Sequence, residues 1–171
     1  MSENILEMKG IHKKFPGVKA VDNVDLTVKK GEVLALVGEN GAGKSTLIKI
    51  LSGAYTADSG QIILDGKELG NYSPREAIDL GISVIYQELN YLNDVTVAEN
   101  IFLGMIPVKG VLKTVDYKKL KDETSKILDY IGLKRHPFEL VSRLSVAEKQ
   151  LLEVARACVK NVKVLVMDEP T

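Results

Sequence analysis

The fold of this chain is decided by the stretch Gly38-Glu39-Asn40-Gly41-Ala42-Gly43-Lys44-Ser45-Thr46. It fits G-x-x-x-x-G-K-[ST], the pattern of a phosphate-binding loop, also called the P-loop or Walker A motif. Its glycines allow backbone angles that side chains would forbid and bring the backbone amides close to phosphates. Lys44 adds a full positive charge, and Ser45 offers a hydroxyl to Mg²⁺. The alternative interpretation is an ordinary turn.

The flanking segments favour the phosphate loop. The preceding Val33-Leu34-Ala35-Leu36-Val37 is apolar and uncharged, which predicts a strand buried on both faces. The following Thr46-Leu47-Ile48-Lys49-Ile50-Leu51 predicts a short helix. A strand, a glycine-rich turn and a helix start place amide groups and the positive helix end around an anion. The chain is therefore predicted to be an α/β protein with a P-loop core.

Composition limits the classes of function. The chain has 171 residues, of which 45% are hydrophobic and 27% charged, as in a soluble domain with one good core. Lysine plus arginine and aspartate plus glutamate number 23 each, so no global basic field exists to hold nucleic acid. No apolar run approaches the ~20 residues of a membrane span, and MSENILEMKG lacks the features of a signal peptide. Cys158, the only cysteine, is expected to be a small core residue.

The N-terminal region predicts an antiparallel layer. Residues 5–9 and 20–28 alternate apolar and polar side chains, as half-exposed strands do. Residues 61–64 form another apolar run, followed by Asp65-Gly66, a strong hairpin signal. Phe15 lies on the loop between the first two strands. It can stack on a purine base or simply anchor the loop, and the sequence leaves both interpretations open.

A second buried strand is predicted over Ile82-Ser83-Val84-Ile85-Tyr86, after a helix that Ser73 caps and Gly81 ends. The strand leads to Gln87, whose amide can reach a metal ion or a water, although lone glutamines are usually solvated. From about Glu88 to Lys160 the pattern has helical period. Pro107 and Gly110 mark a loop within this region.

The helical region contains a second candidate anion site. Leu144-Ser145-Val146-Ala147-Glu148 opens a helix as Ser-x-x-Glu, a capping box that leaves backbone N–H groups at an exposed helix start. The same pattern occurs at Thr96-Val97-Ala98-Glu99. Because such boxes are common, a purely structural cap is the competing interpretation.

The last strand delivers two acids. Val162-Lys163-Val164-Leu165-Val166-Met167 is followed by Asp168 and Glu169. Carboxylates at the carboxyl ends of parallel strands lie in the crevice where ligands bind. Asp168 can hold Mg²⁺ and Glu169 can polarise an attacking water, whereas the alternative is an acidic pair on a surface loop.

Taken together, these motifs resemble the ATP-binding subunits of ABC transporters, and closely those of the monosaccharide-importer branch. The resemblance rests on Phe15 and on segments in the family's order: GENGAGKSTLIKILSG, the glutamine of VIYQEL, VAENIFLG, LSVAEKQ and LVMDEPT. It implies a P-loop NTPase core with an N-terminal antiparallel β layer and an α-helical subdomain, truncated at the C-terminus. The implied divisions are an ATP-binding core over 1–87, a helical signature subdomain over 88–160 and a returning strand over 161–171.

The resemblance also implies roles, with ATP and Mg²⁺ as cofactors. Phe15 would stack on adenine, and Gly38 to Thr46 would wrap the phosphates. Ser45, Gln87 and Asp168 would hold the metal. Glu169 would be the catalytic base, and Gln87 would link the site to the membrane partner. The signature segment, Leu144 to Glu148, would cap the γ-phosphate bound to an opposite subunit.

The implied function is to bind and hydrolyse ATP for monosaccharide uptake, at the cytoplasmic face of the membrane. The implied partners are permease subunits, a second nucleotide-binding domain and, indirectly, a sugar-binding protein, with no nucleic acid. The alternatives are a soluble ABC-type ATPase and a nucleotide-binding module without hydrolysis. The sequence does not name the sugar.

Two departures from the family pattern qualify these expectations. Val146, Ala147 and Glu148 stand where the general signature LSGGQ has two glycines and a glutamine. The chain also ends at Thr171, so we expect a fragment of a longer polypeptide that does not hydrolyse ATP by itself. In the ATPases that this chain resembles, a further strand after the catalytic glutamate lies between the segments that correspond to residues 33–37 and 162–167. Because the given sequence stops before that strand, we expect residues 162–167 to shift beside residues 33–37, to pair with another molecule, or to be displaced together with Asp168 and Glu169.

Overall fold

A computed structural model describes residues 3–39, 41–85, 91–160 and 162–167. These residues form two compact units. The first contains the chain up to Val84 together with the segment that starts at Lys163, and the second runs from Ile85 to Val162. Within the described ranges, no helix is long and apolar enough to cross a membrane.

The first unit contains a four-stranded antiparallel sheet in the order β2-β1-β3-β4. Asp65 and Gly66 form the turn between its last two strands, and both have positive φ, as a tight hairpin turn requires. The antiparallel layer predicted from the sequence is confirmed, with longer strands than expected. The strands are β1 (Asn4–Phe15), β2 (Val18–Lys29), β3 (Ser59–Leu64) and β4 (Lys67–Leu69).

Two helices and a strand pair complete the first unit. Helix α1 (Lys44–Leu51) buries its apolar side chains in the same core as the inner face of the sheet. Helix α2 (Pro74–Leu80) begins at the Ser73 capping box and ends at Gly81. Strand β5 (Ile82–Ile85) pairs with β8 (Val164–Met167). The buried core is Leu6, Met8, Ile11, Val21, Leu47, Ile50, Leu51, Ile62, Leu64, Ala77, Ile82 and Val164.

The strand predicted directly before the phosphate loop is wrong. Residues 32–39 adopt no regular secondary structure, and Val33 and Val37 are 98% and 89% exposed. An apolar run becomes a strand only where neighbouring backbone offers hydrogen-bond partners. Among the described strands none pairs with this segment, since β8 is paired with β5.

The prediction that the last strand shifts beside residues 33–37 is also wrong. The segment after Lys163 pairs with β5, and the N–H groups of Lys163 and Val164 donate to the carbonyl of Gly81 at 2.8 and 3.1 Å. It does not lie beside residues 33–37 as a strand partner. The predicted displacement of Asp168 and Glu169 concerns residues outside those that the structure describes.

The second unit is mainly helical. It contains α3 (Val97–Ile101), α4 (Tyr117–Tyr130), a single 3₁₀ turn (Val141–Arg143) and α5 (Val146–Val159). A small hairpin, β6 (Val108–Lys109) and β7 (Thr114–Val115), lies where the sequence predicted only a loop. Strands this short carry no measurable periodicity. The core is Val97, Ala98, Ile101, Phe102, Leu120, Leu128, Leu133, Val141, Leu144, Leu152 and Ala155.

Cys158 is exposed, so its predicted core role is wrong. It lies near the end of α5, whose buried residues are Leu152, Ala155 and Ala157. Small residues in a helical pattern give little indication of which face is buried. The thiol therefore belongs to the surface of the second unit.

Candidate functional site

The phosphate loop takes its shape from two glycines in the left-handed region. Gly41 and Gly43 both have φ of 86°, a conformation that other residues rarely adopt. Between them, the N–H of Ala42 donates to the carbonyl of Glu39 at 3.1 Å, which closes a tight turn. The backbone itself therefore favours glycine at positions 41 and 43.

Gly43 also lies directly against the sheet. A Cβ atom built at this position would overlap the carbonyl oxygen of Ala20, in β2. At Gly38 a Cβ would meet Ala42 Cβ at 3.4 Å, which is tight but tolerable contact. The loop is thus seated on the beginning of β2, with no room for a side chain at the contact point.

Lys44 supplies the loop with a positive charge. Its ammonium donates to the carbonyl oxygens of Gly38 and Glu39 at 2.5 and 2.8 Å. A lysine ammonium has three donors, so these two bonds leave one for an anion. The loop's own carbonyls hold the charge over the loop.

The start of α1 adds unpaired amides. The first N–H groups of a helix have no partner within it, and Gly43, at the N-cap position, provides no side-chain cap. No acidic residue lies in the first turn to oppose an anion. Ser45 is exposed at this end of the helix. These amides, the Lys44 ammonium and the Ser45 hydroxyl fit a phosphate chain with its Mg²⁺.

Phe15 lies near this loop because of the strand register. It ends β1 and pairs with Val18, which precedes Ala20 by two residues. At about 3.3 Å per residue, Val18, the strand partner of Phe15, lies roughly 7 Å along β2 from the Ala20 that contacts Gly43. The ring is 37% exposed, so it has surface free to stack, and its role toward adenine stays a prediction.

Sequence reasoning missed a second aromatic residue beside Phe15. The Tyr55 ring meets the Phe15 ring edge-on, with centroids 5.4 Å apart. The ammonium groups of Lys13 and Lys49 lie 5.6 and 5.4 Å from the centroids of Phe15 and Tyr55, within cation–π range. The only sequence signal for Tyr55 was the presence of an aromatic residue shortly after the predicted helix.

The signature segment forms a complete capping box. The Ser145 hydroxyl accepts from the N–H of Glu148 at 3.4 Å, and Glu148 Oε2 accepts from the N–H and hydroxyl of Ser145 at 2.8 and 2.9 Å. The structural-cap interpretation is therefore confirmed. A cap does not exclude anion binding, because the remaining amides at the start of α5 still need partners.

Arg135 is the main residue that sequence reasoning missed. Its Nε and Nη2 donate to the two carboxylate oxygens of Glu148 at 2.8 and 3.1 Å, and its Nη1 donates to Glu139 at 3.2 Å. The guanidinium and the donors of Ser145 lower the pKa of Glu148 to about 2. No motif spacing connects Arg135 to the signature, since it lies in an irregular segment outside α4 and α5.

Residues 91–93 are held within the second unit by side chains of two helices. The fully buried Asn100 donates to the carbonyl of Leu92 at 2.7 Å and accepts from its N–H at 3.3 Å. From α5, the Lys149 ammonium donates to Asn93 at 3.1 Å and lies 4.6 Å from the Tyr91 ring centroid. The residue next to Glu148 thus anchors Tyr91 and Asn93.

Several predicted site residues lie outside the described part of the chain: Asn40, Gln87, Asp168 and Glu169. Of the predicted metal ligands, the structure therefore describes only Ser45. In residues 3–39, 41–85, 91–160 and 162–167, no group of three His, Cys, Asp or Glu side chains could hold a metal ion. The remaining described site residues fall into two groups, one around Lys44 and one around Ser145.

Comparison with known proteins identifies what this arrangement resembles. Residues 21–171 match the ABC transporter family. The ribose import ATP-binding protein of Caldanaerobacter subterraneus is 53% identical over 99% of this chain. The galactose/methyl galactoside import ATP-binding protein of Clostridium perfringens is 49% identical, also over 99%. The chain spans about a third of the length of these relatives, 34% and 33%.

A solved structure has the same fold. The ADP conformation of an ATP-binding cassette of an ABC transporter superposes with a TM-score of 0.84 and 33% identity, covering 99% of this chain and 70% of the other. These findings confirm the resemblance seen in the sequence and the P-loop NTPase fold that it implies.

The contact between Gly43 and Ala20 can be tested with a matched pair of variants. Both Gly41→Ala and Gly43→Ala place alanine at the same positive φ, which costs about 1–2 kcal/mol. Only Gly43→Ala also drives a Cβ into the Ala20 carbonyl, for a further cost of about 1–3 kcal/mol. Urea denaturation should therefore show a larger loss of unfolding free energy for Gly43→Ala, and equal losses would contradict the close contact.

The Glu148 cap predicts a pH dependence of stability. The folded-state pKa is lowered from 4.5 to about 2, so the ionised carboxylate contributes stability above about pH 4.5. That contribution is lost as the pH falls from 4.5 toward 2. The melting-temperature difference between the parent and Glu148→Gln should therefore narrow as the pH falls from about 4.5 toward 2. A difference that stays constant over this range would rule out the bonded carboxylate.

Proposed function

Because the chain belongs to the ABC transporter family, we propose that it is the ATP-binding part of an importer subunit that energises uptake of a monosaccharide. The observation that carries the proposal is the phosphate loop, where left-handed glycines, free helix amides and the Lys44 ammonium converge. The relatives' names support the substrate class, since ribose and galactose are both monosaccharides. They differ in the sugar, so the class is proposed and not a single compound.

Each residue of the loop has a proposed task. The amides at the start of α1 and the Lys44 ammonium bind the β- and γ-phosphates of ATP. Lys44 must then exchange a carbonyl bond to Gly38 or Glu39 for a phosphate oxygen, or use its third donor. Ser45 contributes its hydroxyl to Mg²⁺, and Phe15 stacks on adenine. Bound Mg-ATP supplies the γ-phosphoryl group and an electrophilic phosphorus atom.

The remaining residues carry the proposed hydrolysis. Glu169 accepts the proton of the attacking water, which is the role of a carboxylate base. Asp168 and Gln87 complete the metal and water site, and Gln87 links that site to the membrane partner. The segment Leu144 to Glu148 binds the γ-phosphate of a nucleotide held by a second nucleotide-binding domain. This division of work makes hydrolysis depend on the closure of two domains.

The proposed partners follow from the importer assignment. Permease subunits carry the sugar across the membrane, and a sugar-binding protein outside the cell delivers it to them. The ATP-binding subunit works at the cytoplasmic face as a peripheral component.

Lys44 should be required for nucleotide binding. Lys44→Ala removes the fixed charge, and a hydrogen bond to a charged group contributes about 1.5–3 kcal/mol. We expect the affinity for a fluorescent ATP analogue to fall by about tenfold to more than a hundredfold. The matched control is Lys67→Ala, an exposed lysine of β4 at the sheet edge opposite β2, which should leave affinity within about twofold. Unchanged affinity in Lys44→Ala would overturn the assignment of the loop.

Glu169 should be required for turnover but not for binding. The amide of Glu169→Gln keeps the shape of the side chain but is a poor proton acceptor, and general bases contribute about 10²–10⁴-fold. The assembled importer carrying this variant should bind ATP normally and lose at least 99% of its steady-state phosphate release. Turnover within a few-fold of the parent would show that Glu169 is not the base.

A further inference from the structure

The signature segment presents an electrostatic problem. Glu148 is an acid in the segment that is proposed to receive a phosphate, and two negative groups at close range repel each other. A glutamine in its place would carry no charge. If the segment receives a phosphate as proposed above, the charge of Glu148 must be offset by other groups of the chain.

The contacts of Glu148 show how the chain handles this charge. Oε2 accepts from the N–H and hydroxyl of Ser145 and from Arg135 Nη2, and Oε1 accepts from Arg135 Nε. Both carboxylate oxygens are therefore engaged by donors of the chain itself. The side chain is folded back onto the helix cap, and its charge faces a guanidinium 2.8 Å away.

We propose that Arg135 is a positioning residue of the signature segment: it screens Glu148 and holds its carboxylate against the cap, so that the first amides of α5 can receive the phosphate of an opposing nucleotide. Without Arg135, the carboxylate keeps only the donors of Ser145. It then adds an unscreened negative charge beside the amides that face the phosphate.

The geometry favours arginine for this task. The guanidinium is a planar fork that matches a carboxylate with two parallel bonds, which an ammonium cannot do. Its third contact, from Nη1 to Glu139 at 3.2 Å, is the longest of the three. This contact restrains the orientation of the guanidinium that bonds to Glu148. Glu139 is itself fixed, because its carbonyl accepts from the N–H of Val97 at 2.9 Å.

A merely structural ion pair is the competing explanation, and a double-mutant cycle separates the two. The steady-state ATPase activity of the assembled importer is measured for four forms: the parent, Arg135→Met, Glu148→Gln and the double variant. If Arg135 acts by restraining the carboxylate, Arg135→Met should lower kcat at least tenfold when Glu148 is present. The same substitution should change kcat less than twofold in the Glu148→Gln background, where no charge needs screening.

Two controls keep the test decisive. Lys119 lies on α4 of the same unit and pairs with Glu123 at 3.7 Å, so Lys119→Met removes an ion pair outside the signature cap and should leave kcat unchanged. If Arg135→Met does not fold, Arg135→Gln takes its place in the cycle, since its amide can still contact the cap.

Each outcome has a distinct meaning. Equal losses of kcat in the two backgrounds would show that Arg135 only braces the fold, and no loss in either would show that it has no role. Both results overturn the inference. Failure of the proposed function appears elsewhere, as ATPase activity that Lys44→Ala leaves intact.

Discussion

The close approach of Gly43 to the Ala20 carbonyl is the contact on which the rest of the nucleotide site depends. It joins the N-terminus of α1 to the antiparallel sheet with no side chain between them. The same contact fixes where the loop amides and Lys44 lie relative to the β1–β2 hairpin that carries Phe15. A glycine is needed here for two independent reasons, the positive φ and the lack of space, which explains why the motif tolerates other residue types at its x positions but not at this one.

In the second unit, an ion pair stabilises the charged residue at the start of the signature helix. The signature helix α5 begins with a capping box, in which Ser145 and Glu148 hydrogen-bond each other's backbone N–H groups. Arg135, from a separate segment, forms an ion pair with the Glu148 carboxylate. The departure from LSGGQ, read alone, suggests a weakened site. With Arg135 in view, the glutamate belongs to a bonded set of three side chains, together with Ser145. Lys149, the next residue, ties the same helix to Tyr91 and Asn93.

The sequence was most informative where local chemistry determines structure. The phosphate loop, the Asp65-Gly66 turn and the Ser73, Thr96 and Ser145 caps each depend on residues a few positions apart, so their patterns are visible directly. The prediction for residues 33–37 was wrong because a strand depends on distant backbone partners that no local pattern reveals.

Side-chain contacts between residues far apart in the chain could not be predicted from the sequence either. Arg135 meets Glu148 across thirteen positions, and Tyr55 meets Phe15 across the first unit. Neither pair has a characteristic spacing, and both depend on how separate segments pack. The exposure of Cys158 was missed because small residues in a helical pattern do not distinguish a buried face from an exposed one. The β6–β7 hairpin was missed because its strands are too short to show a periodic pattern.

The central claim, that the loop from Gly38 to Thr46 binds the phosphates of ATP, is tested most directly by NMR mapping of backbone amides during titration with Mg-ATP. We expect the largest chemical-shift changes at the loop residues Gly41, Gly43, Lys44 and Ser45, with smaller changes for the ring protons of Phe15 and Tyr55. Saturable changes confined to other parts of the chain, with these amides unmoved, would contradict it.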